Sequence, residues 1–181
     1  MNLTETKKKG RLVYDGTVIK TYHDTVILPD GREATRDVVR HPGGVGVVAL
    51  TPQNKVLLVR QYRYPYGALI TEIPAGKREA GEDPVATGRR ELAEETGYTA
   101  DTWISLGQVY PTPGYCDEII DLFAAKGLHS GALHTDDDEF LKPLELPFPQ
   151  ALELVEQGRL PDAKTQIALL RLKRLLDKGE F

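Results

Sequence analysis

The chain has 181 residues, 40% of them hydrophobic, which is the length of one domain and enough apolar content to build a core and exclude wholesale disorder. A net charge of −4 gives no support to nucleic-acid binding, and no apolar run approaches the roughly 20 residues that a membrane-spanning helix needs. The single cysteine, Cys116, excludes an intrachain disulfide and a multi-cysteine zinc site, and the basic N-terminus has no apolar segment behind it, so a cytoplasmic enzyme or binding domain is expected.

Residues 11 to 40 are rich in Val, Ile, Thr and Tyr and predict β structure, with Pro29-Asp30-Gly31 as a turn between two strands. His41-Pro42-Gly43-Gly44 punctuates the chain. Two apolar runs follow, VGVVALT and KVLLVRQYRY, which predict core strands. A small N-terminal antiparallel β unit is therefore expected over residues 1–41 and the main domain over 42–181. Asp83 as N-cap, Pro84 at the first helical position and Gly97 as stop predict a helix over 84–96. Its narrow apolar stripe is Val85 and Leu92 with Ala86 and Ala93 beside them. Strand-like runs are expected at about 103–110 and 119–125. One helix starts near Pro149, and a second has an apolar face of Ile167, Leu170, Leu172 and Leu175. Strands mixed with helices give an α/β layered domain.

On the helix over 84–96, Glu91, Glu94 and Glu95 fall at i, i+3 and i+4 and share one face. Taken alone, such a run is usually a solvated face, here balanced by Arg89 and Arg90. The sharper reading is a carboxylate cluster for a hard divalent cation, because Mg²⁺ takes oxygen ligands from one or two carboxylates together with waters and substrate phosphates.

The surrounding residues choose between these readings. From Gly76 the chain reads GKREAGEDPVATGRRELAEETGY, with Gly76, Glu82, Arg90-Glu91-Leu92, Glu94-Glu95 and Gly97 at fixed spacing. This resembles the box of the Nudix hydrolases, with no position missing. The resemblance implies an α/β/α sandwich with a mixed sheet. It also implies a loop–helix–loop that holds Mg²⁺ or Mn²⁺ against a diphosphate. By that resemblance Glu91 and Glu95 are metal ligands, Glu94 is a further ligand or acts through water, and the backbone carbonyl of Ala75 completes the set. Glu82 and Arg90 pair to hold the loop against the helix, and Gly76 and Gly97 supply tight turns.

Three further stretches resemble the ADP-ribose pyrophosphatases within that family: RQYRYPYG at 60–67, LITEIPAGK at 69–77 and YPTPGYCDE at 110–118. The resemblance implies hydrolysis of ADP-ribose to AMP and ribose 5-phosphate. Sister pyrophosphatases for GDP-mannose or UDP-glucose are the alternative, and a non-catalytic ligand sensor is a third reading. The general base is expected in the acidic run HTDDDEF, with Glu139 the first choice and Asp137 the second. Arg36 and Arg63 are the candidate phosphate contacts, and Glu72 either touches substrate or supports the box. Exposed β ribbons invite pairing with another chain. With the family's habit of exchanging this region, that predicts a homodimer.

Overall fold

The computed structural model describes residues 1–132 and 140–181. The chain forms two compact units, Met1–Gly43 with Tyr110–Ile119, and Gly44–Val109 with Ile120–Phe181.

In the first unit, β1 (Thr6–Asp15), β2 (Lys20–Ile27) and β3 (Glu33–Arg40) form an antiparallel sheet in that order. The predicted turn at Pro29-Asp30-Gly31 joins β2 to β3, closed by a bond from the Leu28 amide to the Arg32 carbonyl at 2.8 Å. β1 is exposed along its whole length, and it carries Leu12, Val13 and Tyr14 in solvent. The unit also holds residues 110–119, far along the chain. The Val39 amide donates to the Tyr115 carbonyl at 2.7 Å, and the Asp117 amide donates to Val39 at 3.1 Å. The Asp117 carboxylate accepts from Arg40 Nη1 at 2.8 Å and from the His41 amide at 2.9 Å. Burial works against the Asp117 charge, but Arg40 and the His41 amide outweigh it and hold the carboxyl below its ordinary range.

The second unit carries the predicted α/β architecture. A four-stranded mixed sheet runs β7 (Ala75–Lys77), β4 (Gly44–Ala49), β9 (Ile120–Ser130), β8 (Tyr98–Val109), with β4 and β9 parallel. An antiparallel sheet runs β10 (Leu141–Pro147), β5 (Lys55–Arg63), β6 (Ala68–Glu72). All six residues of β4 are buried. Because side chains alternate along a strand, they serve two cores. Val45, Val47 and Ala49 join Leu57, Phe123 and Ala125 against Leu92 of helix α1 (Pro84–Thr96). Val48 joins Leu58, Ile73, Leu122 and Ala124 in a larger core. That core is closed by Phe148 and Ala151 of α2 (Phe148–Glu156) and by Ala168, Leu169 and Leu172 of α3 (Ala163–Lys178).

Helix α1 has the predicted bounds. Asp83 caps it, accepting from the Val85 and Ala86 amides at 2.9 and 3.1 Å, and Gly97 ends it at φ 74. Its buried face differs from the expected stripe. Ala86 is exposed, and Thr87, Gly88, Glu91, Glu95 and Thr96 are buried with Leu92. In α3 the expected apolar face holds at Ile167, Leu172 and Leu175, which pack on the core, and fails at Leu170. Leu169 is buried and Leu170 is half exposed, because Leu170 lies about 200° around the helix from Leu172. β8 starts at Tyr98, directly after the helix stop, and pairs with β9 from Tyr98↔Ser130 onward. β10 is a strand that the residue pattern alone does not show.

Candidate active site

The site is built from three neighbouring pieces of the second unit: the strap Glu72–Ala75 between β6 and β7, the loop 78–83, and one face of α1. Two charged residues of that face are almost fully buried, Glu91 at 7% exposure and Glu95 at 2%. Buried carboxylates need compensation, and the surroundings provide it. Glu95 Oε2 accepts the Ala75 amide at 2.8 Å, tying the helix to the strap. Glu91 is tucked against the backbone at Gly76, where a Cβ would lie 1.9 Å from its Oε1. Only glycine leaves room for the carboxylate there.

Arg90 is the hub. Its Nη1 donates to Glu91 Oε1 at 2.7 Å and to Glu94 Oε2 at 3.0 Å. Its Nε and Nη2 reach the two oxygens of Glu82, both at 3.3 Å, and Nη2 also donates to the Lys77 carbonyl at 3.2 Å. One guanidinium thus joins loop, strand and helix. Burial opposes its charge, but the carboxylates of Glu82, Glu91 and Glu94 outweigh that and raise its pKa above the ordinary value. The Arg90 hydrogen bond, with the Glu79 amide assisting, holds the Glu82 carboxyl down to about 2. The loop is closed further by Arg78 Nη2, which donates to the Glu82 carbonyl at 2.9 Å.

On the other side of the strap, Glu72 is buried at 2% exposure. Its Oε1 accepts Arg63 Nε at 2.7 Å and its Oε2 accepts Arg63 Nη2 at 2.9 Å, a forked pair that fixes the guanidinium plane. Hydrogen bonding to Glu72 outweighs the opposing burial and raises the Arg63 pKa. Glu72 Oε2 also accepts from Lys164 Nζ, whose second partner is Asp162 Oδ1 at 3.0 Å. Sequence reasoning missed Lys164. The run Asp162-Ala-Lys-Thr reads as a helix start, and nothing in it signals that the lysine turns back onto a residue 92 positions earlier.

The other expected site residues fall as follows. Glu94 is half buried on the same helix face as Glu91 and Glu95. Arg36, in the first unit, forms an ion pair with Glu5, its Nε lying 3.0 Å from Glu5 Oε2. Glu139 and Asp137 lie outside the described residues.

Among the described residues, no group of three or more His, Cys, Asp or Glu side chains converges as a metal-binding cluster. The donor set nevertheless fits a hard cation. All the candidate donors are oxygens, and the Arg90 guanidinium takes the cation's part between Glu91 and Glu94.

Glu91 and Glu95 are thus buried on one face of α1 against the Ala75–Gly76 backbone, while Arg90 ties Glu91 to Glu94 and Glu82. A NUDIX domain model matches residues 40–166, and the chain belongs to the NUDIX family. It is 45% identical over 167 residues to the "Methanol dehydrogenase activator" of Bacillus methanolicus, covering 91% of this chain and 90% of that one. It is 43% identical over 168 residues to the "ADP-ribose pyrophosphatase" of Bacillus subtilis (strain 168), covering 91% of each. A crystal structure of an "ADP compounds hydrolase" superposes with a TM-score of 0.86 over 100% of both chains at 20% identity, a likeness of fold.

Proposed function

We propose that this protein hydrolyses the diphosphate of ADP-ribose to AMP and ribose 5-phosphate with Mg²⁺ or Mn²⁺, as a cytoplasmic homodimer. The observation that carries the reading is the buried pair Glu91 and Glu95 on one face of α1, set against the Ala75–Gly76 backbone. Two carboxylates one turn apart on one face offer the oxygen donors that a hard divalent cation takes. The 43% identity to an ADP-ribose pyrophosphatase along most of the chain supports the substrate.

Glu91, Glu95 and the Ala75 carbonyl would hold the metal, with Glu94 as a further or water-mediated ligand. When bound, a divalent ion neutralises diphosphate charge and lowers the pKa of water. The chain's own residues do the rest. Arg90 shares the negative charge of Glu91 and Glu94 and ties it to Glu82. Arg63, its Nε and Nη2 held by Glu72, offers Nη1 to a phosphate oxygen. Arg36 is proposed in the same role. Glu139, or Asp137 in its place, accepts the proton of the attacking water.

Turnover with Mg²⁺ of ADP-ribose, GDP-mannose and UDP-glucose, measured side by side, tests the substrate. Strong preference for ADP-ribose is expected; preference for another sugar nucleotide replaces the substrate and keeps the box chemistry. The 45% identity to a dehydrogenase activator favours a second reading, action on a partner dehydrogenase. The purified chain hydrolysing substrate alone, with no partner present, decides for the first. The fully exposed β1 at the sheet edge supports the homodimer. A monomeric mass in solution with full activity would refute it.

No helix among the described residues is long and apolar enough to cross a membrane.

A further inference from the structure

We propose that the first turn of α3 is a positioning element for the site, with the Thr165 hydroxyl setting where the Ala75 carbonyl stands. This rests on the reading of Ala75 as a metal ligand.

A backbone ligand has no rotamer of its own. Its place is set by the dihedrals of the residues around it, and these are held by whatever bonds the strap makes. Each residue of the strap is tied to a different partner. The Glu72 carboxylate takes Lys164 and Arg63. The Ile73 amide donates to Thr165 Oγ1 at 2.9 Å. The Pro74 carbonyl accepts from the Val47 amide at 2.9 Å, and the Ala75 amide donates to Glu95 at 2.8 Å. Pro74 has no N–H, so the Ile73 amide is the one backbone donor between Glu72 and Ala75. Its partner is a side chain 92 positions later, at a residue that is 0% exposed.

The Thr165 hydroxyl is itself fixed in direction. It donates to Asp162 Oδ2 at 2.6 Å, and the Thr165 amide donates to the same oxygen at 2.9 Å. Its lone pairs are therefore left to accept from Ile73. Asp162 is the N-cap of α3 and also holds Lys164 at 3.0 Å. One capping aspartate thus orients both α3 side chains that grip the strap. The site's backbone ligand is registered against α3 as well as against α1.

The test is Thr165→Val, which keeps the shape and removes the acceptor, beside Thr165→Ser, which keeps the hydroxyl. Mn²⁺ binding to the substrate-free protein is read by electron paramagnetic resonance, and urea midpoints are recorded alongside. Thr165→Val is expected to weaken Mn²⁺ about tenfold or more, the usual effect of losing an outer-shell partner, while Thr165→Ser stays near wild type. A folded Thr165→Val protein that binds Mn²⁺ as wild type does would overturn the proposal and leave Thr165 a purely structural cap. If Thr165→Val does not fold, Thr165→Ala replaces it under the same criterion. Wild-type protein that binds no Mn²⁺ would remove the metal reading itself, and this inference with it.

Discussion

Gly76→Ala should separate function from folding. A methyl at this position would lie 1.9 Å from both Oε1 and Cδ of Glu91 and 2.3 Å from Oε2. Ordinary contact begins near 3.4 Å, so the carboxylate must retreat by about 1.5 Å. The obstacle is the end of a flexible side chain, and the backbone at Gly76 is not in the left-handed region. The fold therefore survives. Overpacking of this kind costs typically about 1–3 kcal/mol, offset by roughly 0.4–1 kcal/mol from the stiffer unfolded chain. Function is more sensitive, because a misplacement of about 1 Å in a catalytic group costs on the order of 100-fold. At 1.36 kcal/mol per decade that is about 2.7 kcal/mol of barrier. The assay is kcat across a Mg²⁺ titration, with circular dichroism and a denaturation midpoint on the same sample. A kcat within threefold of wild type at the same Mg²⁺ requirement would refute the claim that Glu91 must sit where Gly76 admits it.

Glu95→Gln keeps an acceptor for the Ala75 amide but loses the charge; turnover should fall by more than the roughly 10–100-fold typical of outer-shell changes, with the denaturation midpoint little altered. The lowered Asp117 carboxyl stays ionised in the fold below its ordinary value of 3.8. Its contribution to stability is therefore full above that pH and is lost as pH falls through the lower folded value. The midpoint difference between wild type and Asp117→Asn should be constant from neutral pH down to about 4 and should shrink in more acid solution; a difference that grows on acidification would reverse the assigned sign. Leu172→Ala, in the fully buried core, should cost about 2–5 kcal/mol. Leu170→Ala, two residues away and half exposed, should stay within about 0.5 kcal/mol, as read by urea denaturation.

Helix α1 was readable to the residue because Asp83-Pro84 and Gly97 act through local backbone chemistry that needs no tertiary partner. Its buried face was only partly readable from hydrophobicity. Of the expected stripe Leu92 and Val85 pack on the core and Ala86 does not, while Glu91 and Glu95, which hydrophobicity would place in solvent, are buried. β10 was hidden by Pro143 and Pro147. Such prolines are tolerated because, among the described residues, the strand lies at a sheet edge and pairs only with β5. The early start of β8 was hidden for another reason. Tyr98-Thr-Ala-Asp-Thr has no run of apolar residues, and its strand form is supplied by pairing with β9. Among the site residues, the spacing of the box marks Glu82, Arg90, Glu91, Glu94 and Glu95. The Lys164 and Thr165 contacts span 92 positions and leave no local trace.

The double duty of β4 bears on how the molecule opens. Val47 and Val48 are covalent neighbours, yet one supports the carboxylate helix and the other supports α3. Neither helical layer can come away without uncovering one side of the same strand. Partial openings that expose the site are thereby suppressed, and the amides of β4 should exchange with solvent only through whole-domain unfolding. The rigidity that keeps the carboxylates in place is thus shared with the α3 layer of the same unit.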